Sequence, residues 1–280
     1  MTSALTVAIQ GEEGSFSHQA ALGLLGDSIK VQPKADFDAL FKAVATAGAD
    51  RALVPIENSL HGSIHENYDR LKASDLHIVD ETQLRIKHCL IARPGASLAS
   101  IRRVASHAVA LSQCRHFFEE RPQIEKVVAY DTAGSVKDLL RDGLQTQAAI
   151  ASCLTAKLYG GQILLEGIED DPQNYTRFLL LAREPGPIAA ATKTSVVFSL
   201  KNLPGALHKA LSAFASRGVD LAKIESRPLR GRPWEYAFYL DYLGDPRAIA
   251  GEALDELRTL AEDLRILGSY PDGLKRTATP

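Results

Sequence analysis

Near its start the chain reads Leu5-Thr6-Val7-Ala8-Ile9-Gln10-Gly11-Glu12-Glu13-Gly14-Ser15-Phe16-Ser17. The apolar-dominated run over 5–9 predicts a buried strand, and residues 11–14 predict a turn. A helix opens near Ser15 or Ser17, both good N-cap types. Strands and helices alternate downstream, with no internal repeat. Strands are expected over 51–56, 78–91 (interrupted), 104–106, 127–130 and 148–151. Helices are expected over 36–47, 64–71, 111–119, 135–141 and 154–159. In the first of these, Phe37, Leu40, Phe41 and Val44 share one face. Such alternation implies a largely parallel sheet with helices on both faces.

Arg183-Glu184-Pro185-Gly186-Pro187 punctuates the pattern like a linker. Beyond it, 194–200 alternates as a strand, and Pro204 starts a helix. Two strands, 220–229 and 234–243, surround a hairpin turn at Arg230-Gly231-Arg232. A helix over 247–264 and a strand over 265–270 complete a βαββαβ module of the ferredoxin-like kind.

The 280 residues are 45% hydrophobic and 24% charged, enough chain for two domains. The net charge of -2 and the lack of Lys/Arg-rich runs argue against nucleic acid. No apolar stretch is long enough to span a membrane, and no signal peptide is evident, so a cytoplasmic protein is expected. Cys89, Cys114 and Cys153 are widely spaced, and they read as reduced, mostly buried thiols. No HExxH or CxxC pattern suggests a metal, and Gly11 to Gly14 lacks the Gly-Lys-Ser/Thr of a phosphate-binding P-loop.

In open α/β sheets, ligands bind beyond the carboxyl ends of strands. Those positions carry Ser15-Phe16-Ser17-His18, Glu57-Asn58-Ser59, Asp131-Thr132 and Ser152. Singly each polar residue reads as a helix cap; together on one edge they suggest an anion site at helix starts. Glu57 is placed to act as an acid or to hold a neighbour such as Arg177, with the structural role slightly favoured. His18, His88 and His107 lie near strand ends or helix starts and read as satisfied neighbours. Asn174-Tyr175-Thr176-Arg177-Phe178 sets an amide, a hydroxyl and a guanidinium at the mouth of the apolar run Leu179-Leu180-Leu181.

These segments, with Pro55-Ile56-Glu57-Asn58-Ser59, Ser106-His107 and Gln113-Cys114, closely resemble the prephenate dehydratases over nearly the whole chain. The C-terminal module resembles their ACT regulatory domain. The resemblance implies an α/β catalytic region with two lobes, periplasmic-binding-protein-like, over 1–183, with crossings near 80–90 and 165–175. It also implies a linker over 184–192, an ACT domain over 193–272 and a tail over 273–280. No chorismate mutase segment precedes the motifs, so the monofunctional form is expected.

The implied reaction converts prephenate to phenylpyruvate, with no cofactor and no metal. Thr176 is then the catalytic hydroxyl, Arg177 the grip on the retained carboxylate, and Asn174 and Glu57 their partners. Ser15, Phe16, Ser17, Asn58, Ser59, Thr132 and Phe178 are expected to bind substrate. Gly205, Ala206, Leu207, Glu225, Ser226, Arg227 and Pro228 match the places where the family binds phenylalanine, at an interface between two ACT modules of a homodimer or homotetramer. Ala108 replaces the family's usual proline, and His208 replaces a small aliphatic. The second departure bears on effector affinity. The resemblance leaves open an arogenate dehydratase and, from another class, a non-catalytic amino-acid sensor.

Overall fold

The computed structural model describes residues 4–229 and 231–273. Arg230, in the expected hairpin turn, and most of the expected tail lie outside the described residues. The chain divides into two compact units. The first runs up to Asn67 and includes Gln83–Phe178; the second comprises Tyr68–Thr82 and the chain from Leu179 onward.

Through the first unit the elements are β1 (Thr6–Gln10), α1 (Phe16–Leu25), β2 (Lys30–Lys34), α2 (Phe37–Ala45), β3 (Arg51–Asn58), β4 (Gly62–Ser63), α3 (His65–Ala73), β5 (His77–Arg85) and β6 (Cys89–Ala92). There follow β7 (Arg103–Ser106), α4 (Ala108–Ser112), α5 (Arg115–Glu119), β8 (Glu125–Val128), α6 (Thr132–Asp142), β9 (Gln147–Ala151), α7 (Cys153–Tyr159), β10 (Gln162–Glu166) and β11 (Tyr175–Ala182). α3, β5 and β11 continue across the boundary into the second unit.

Two sheets form, not one largely parallel sheet. In the first, ordered β2-β1-β3-β11-β5, β1 lies parallel to both β2 and β3, with Ala8 opposite Gln32 and Ala52. In the second, ordered β10-β6-β9-β7-β8, β7 is parallel to β8 and β9, whereas β6 and β10 run antiparallel. The chain passes between the sheets from β5 to β6 and returns from β10 to β11, giving the two α/β lobes of a periplasmic-binding-protein-like region. Val7, Ala8 and Ile9 are fully buried in one lobe; Leu90, Val104, Phe117 and Ile150 build the core of the other.

β2 and β10 are not evident from the sequence. Both are edge strands, half-buried at most, and β2 carries Pro33, so neither shows a clean apolar alternation. The helix expected over 111–119 is two helices. Gln113 caps the first, and the Asp170 carboxylate accepts the N–H groups of Arg115 and His116, at 3.0 and 2.9 Å, to start the second afresh. The reading of three reduced thiols is corrected: Cys89 and Cys153 form a disulfide, because β6 and the start of α7 are brought together through β9. Cys114 alone is free, and burial pushes its thiol pKa up.

The turn after β1 is clamped by α7. Gly14 O accepts from Ser152 Oγ at 2.6 Å and Thr155 Oγ1 at 2.8 Å. Gly14 has φ +86°, and a Cβ there would lie 2.9 Å from the Thr155 Cα, so only glycine fits.

The second unit contains β12 (Lys193–Ser199), α8 (Ala206–Ala215), β13 (Leu221–Pro228), β14 (Tyr236–Leu243), α9 (Ile249–Leu260) and β15 (Asp263–Tyr270). This is the expected βαββαβ, in an antiparallel sheet ordered β13-β14-β12-β15. Val196, Phe198, Phe214, Leu240, Tyr242, Leu254 and Leu257 form its core. α9 ends at Leu260, earlier than expected: Ala261 turns extended, and Leu264 and Ile266 pack on the core as alternate strand residues. Segment Tyr68–Thr82 packs here as well. The Tyr239 hydroxyl donates to Tyr68 O at 3.1 Å, and Arg227 pairs with Asp69 at 2.9 Å. Lys193 Nζ meets Glu81 at 2.7 Å and Asp272 at 3.4 Å, with Lys193 and Glu81 1% and 0% exposed.

Candidate active site

A cleft of about 320 Å³ opens in the first unit. Its wall is built from the start of α1 (Phe16, Ser17), the end of β3 and the β4 turn (Pro55, Asn58, His61 to Ile64), and β11 (Thr176, Phe178). The second lobe contributes His88, His107, Val109, Ala110, Gln113 and Thr132. The starts of α1 and α6, helices of ten and eleven residues, therefore both reach the cleft. Their free N–H groups and aligned peptide dipoles favour an anion there.

Each helix start is held rigidly. Ser15 caps α1, its oxygen accepting from His18 N, while His18 Nδ1 accepts from Gly14 N at 3.0 Å. That contact needs a bare ring nitrogen, and burial lowers the His18 pKa, against a smaller opposing pull from Glu13. Asp131 caps α6 through Gly134 N at 2.8 Å. Burial raises its pKa, with the Gly134 and Ala133 N–H groups opposing.

Asn58 ties β3 to β11. Its Nδ2 donates to Asn174 Oδ1 at 2.8 Å, Tyr175 O at 3.1 Å and Thr176 Oγ1 at 3.0 Å. Its Oδ1 accepts from the N–H groups of Leu60 and His61, which fixes the amide's orientation. Thr176 Oγ1 therefore acts as acceptor toward Asn58, and its own proton is free to be donated into the cleft.

Of the residues singled out from sequence, Phe16, Ser17, Asn58, Thr132, Thr176 and Phe178 meet at this wall. Asn174 lines an adjoining recess with His61, Gln113, Arg115, Asp170 and Asp171; it is fully buried, and its Nδ2 has no partner. Ser15, Glu57, Ser59 and Arg177 are not on the cleft wall. Ser15 is engaged as the cap, and Ser59 bridges Gln173 O and Tyr175 N at 2.7 and 2.9 Å. Arg177, the expected carboxylate grip, is a buried residue of β11 between Thr176 and Phe178. Side chains alternate along a strand, so with Thr176 and Phe178 on the cleft face, Arg177 points to the other. Glu57 similarly alternates away from Asn58.

Sequence reasoning passed over His61 and treated His88 as a bystander. His88 lies in the wall, 1% exposed, with Nε2 2.8 Å from Gln113 Oε1 and its ring edge-on to Phe16. Burial lowers its pKa, against smaller opposing effects of Gln113 and Glu169. Among the described residues, the titratable groups lining the cleft are His61, His88 and His107.

In the second unit, Ala206 and Leu207 line a small pocket with residues 200–203, 234–236 and Phe238. Gly205 caps α8 at φ +78°, whereas Glu225, Ser226, Arg227 and Pro228 lie on edge strand β13 and do not line that pocket. Among the described residues of the chain, the two expected effector segments do not line one cavity.

The family model "Prephenate dehydratase" matches residues 7–186, and "ACT domain" matches residues 194–248. An Arabidopsis thaliana protein described as "Arogenate dehydratase/prephenate dehydratase 2, chloroplastic" is 44% identical, over 96% of this chain and 73% of its own. The crystal structure of prephenate dehydratase in complex with L-Phe from Arthrobacter aurescens superimposes with a TM-score of 0.87 at 35% identity, covering 96% of this chain and 90% of that one. A structure titled as GqqA, a novel type of quorum quenching acylase, does so with a TM-score of 0.88 at 35% identity, covering 97% and 99%.

Proposed function

Because this chain belongs to the prephenate dehydratase family and carries an ACT domain, we propose that it converts prephenate to phenylpyruvate under feedback control by phenylalanine. The observation that carries the reading is the Thr176 hydroxyl, held by Asn58 Nδ2 at 3.0 Å on a cleft wall that also takes in two helix starts.

In the reaction the C–C bond from ring to carboxylate breaks, and its electron pair becomes ring π density. The ring C–O bond breaks as hydroxide departs; hydroxide takes a proton delivered from solvent and leaves as water. The lost carboxylate leaves as CO2. Thr176 donates a hydrogen bond that strengthens as charge grows on the departing oxygen. The α1 and α6 starts hold the retained carboxylate of the pyruvyl group. Aromatisation supplies the driving force.

Prephenate is favoured over arogenate by the character of the wall. Arogenate carries an ammonium in place of the keto oxygen, and among the described residues no Asp or Glu lines the cleft to meet it. The dehydratase reading is preferred to acyl transfer of the kind named for GqqA because the prephenate dehydratase family model spans residues 7–186. For the effector, the separate placement of 205–207 and 225–228 favours a site completed by a second ACT module. The test is phenylpyruvate formation from prephenate, with arogenate in parallel, with and without phenylalanine.

A further inference from the structure

We infer that the Cys89–Cys153 disulfide is a redox switch for the cleft: the bonded form holds the turn before α1 in place, and reduction by a dithiol releases it. The consequence for turnover rests on the dehydratase reading above; the release of the turn does not.

The disulfide fastens α7 to the sheet of the second lobe. Cys89 lies on β6 opposite Ala151 of β9, and Cys153 is the first residue of α7, two positions beyond Ala151. α7 has seven residues, of which Thr155 and Ala156 are buried. A helix that short does not hold its shape without tertiary support, and the bond to β6 supplies support covalently.

What α7 carries is the turn at residues 11–14, which belongs to the other lobe. Ser152 Oγ and Thr155 Oγ1 donate to Gly14 O at 2.6 and 2.8 Å, and the Tyr159 hydroxyl donates to Glu13 O at 3.2 Å. Ser15, next in the chain, caps α1, whose start forms part of the cleft wall. The other half of the disulfide is as near. His88, which precedes Cys89, meets Phe16 edge to face, with ring centroids 5.3 Å apart. Each cysteine therefore directly follows a residue that touches the segment opening α1.

The two sulfurs differ in access. Cys89 is fully buried, whereas Cys153 is partly exposed. The thiolate of a dithiol attacks Cys153 Sγ; the S–S bond breaks, and Cys89 Sγ leaves with the electron pair and takes a proton from solvent. The reagent's second thiolate then attacks the mixed disulfide, and Cys153 Sγ leaves and takes a proton. One disulfide and one dithiol become two cysteine thiols and one oxidised dithiol, a transfer of two electrons. The Cys89 thiol stays among Ile91, Val136 and Ala149 as a small apolar group, so the lobe keeps its core. The two thiols must separate to van der Waals contact. β6 is paired on both sides, with β9 and β10, so α7 is the element that gives way.

The experiment compares the whole chain treated with oxidised or reduced dithiothreitol, as wild type, C89A/C153A and T155V, below the melting temperature of each. Thiol titration in denaturant should count one thiol per chain, Cys114, in the disulfide form and three after reduction. In hydrogen exchange read by mass spectrometry, reduction should speed exchange over residues 14–19 by about 10-fold. C89A/C153A should exchange like reduced wild type and ignore dithiothreitol. T155V, which lacks one hydrogen bond to Gly14, should exchange faster already in its disulfide form and respond less to reduction. With prephenate, reduction of the wild type should lower kcat/KM about 10-fold, reversibly, because the α1 start loses its fixed position.

Three thiols after treatment with oxidised dithiothreitol would overturn the inference. So would unchanged exchange over 14–19 on reduction, an undiminished response in T155V, a response in C89A/C153A, or unchanged kinetics in an active enzyme. A protein that showed the exchange response but turned over neither prephenate nor arogenate would bring down the dehydratase reading and leave the release of the turn standing.

Discussion

Asn58 Nδ2 donates to Thr176 Oγ1 at 3.0 Å, joining residues 118 positions apart in the chain. The bond fixes the threonine as an acceptor on one side and a donor on the other. Asn58→Ala should lower kcat by about 10²-fold, near the loss from Thr176→Ala, because a positioned donor is removed in both. Asn58→Asp should be at least as damaging: a carboxylate would accept the Thr176 proton and turn it away from substrate. Kinetics of the three variants check the claim; wild-type kcat for Asn58→Asp would refute it.

His18 and His88 make stability depend on pH. Burial lowers both pKa values in the folded state. Between the folded values and the unfolded value of about 6.5, the unfolded chain binds more protons. Their contribution is therefore fully present above about pH 6.5, falls as pH drops toward the folded values, and levels off below them. Asp131 works the other way, its raised folded pKa adding stability only on further acidification, in the carboxylate range. Thermal melts should show a lower Tm at pH 5.5 than at pH 8, with a smaller difference in His18→Gln and His88→Gln. An unchanged difference in both variants would contradict the assignment.

The Lys193–Glu81 pair fastens segment Tyr68–Thr82 to the sheet of the second unit. Both groups are buried at 2.7 Å, and Glu81 also accepts from Gly273 N at 3.2 Å. Lys193→Met removes a buried cation shared by Glu81 and Asp272, and should cost about 3–5 kcal/mol. Joining it with Glu81→Gln should restore part of that loss. Urea denaturation of the three proteins measures it; a Lys193→Met loss under about 1 kcal/mol would show that water reaches the pair.

Asp69 on α3 pairs with Arg227, a residue in the expected effector segment. If phenylalanine acts through that segment, Asp69→Asn should leave basal turnover within about twofold and shift the half-inhibiting phenylalanine concentration several-fold, as expected for a partly exposed ion pair of about 1 kcal/mol. An unshifted inhibition curve would remove this pair from the coupling.

The sequence makes much of the frame legible. β1, the apolar face of α2 and the βαββαβ module follow from the spacing of apolar residues, which burial in a core imposes directly. β2 and β10 do not, because edge strands need little apolar alternation. The disulfide does not either, since widely separated cysteines carry no sign of being brought together by an intervening strand. At the site, period-two alternation over 174–178 sets Thr176 and Phe178 on one face of β11. The contacts of Asn58 with Thr176 and of His88 with Gln113 join residues far apart in sequence, and only the fold pairs them.

The most direct measurement is phenylpyruvate production from prephenate by the wild-type enzyme and by Thr176→Ala, each confirmed folded by its melting curve. The account predicts ready turnover by wild type and a loss of about 10²–10³-fold in kcat for Thr176→Ala. Equal turnover by wild type and Thr176→Ala would contradict the central claim, that the free hydroxyl proton of Thr176 assists departure of the ring hydroxyl.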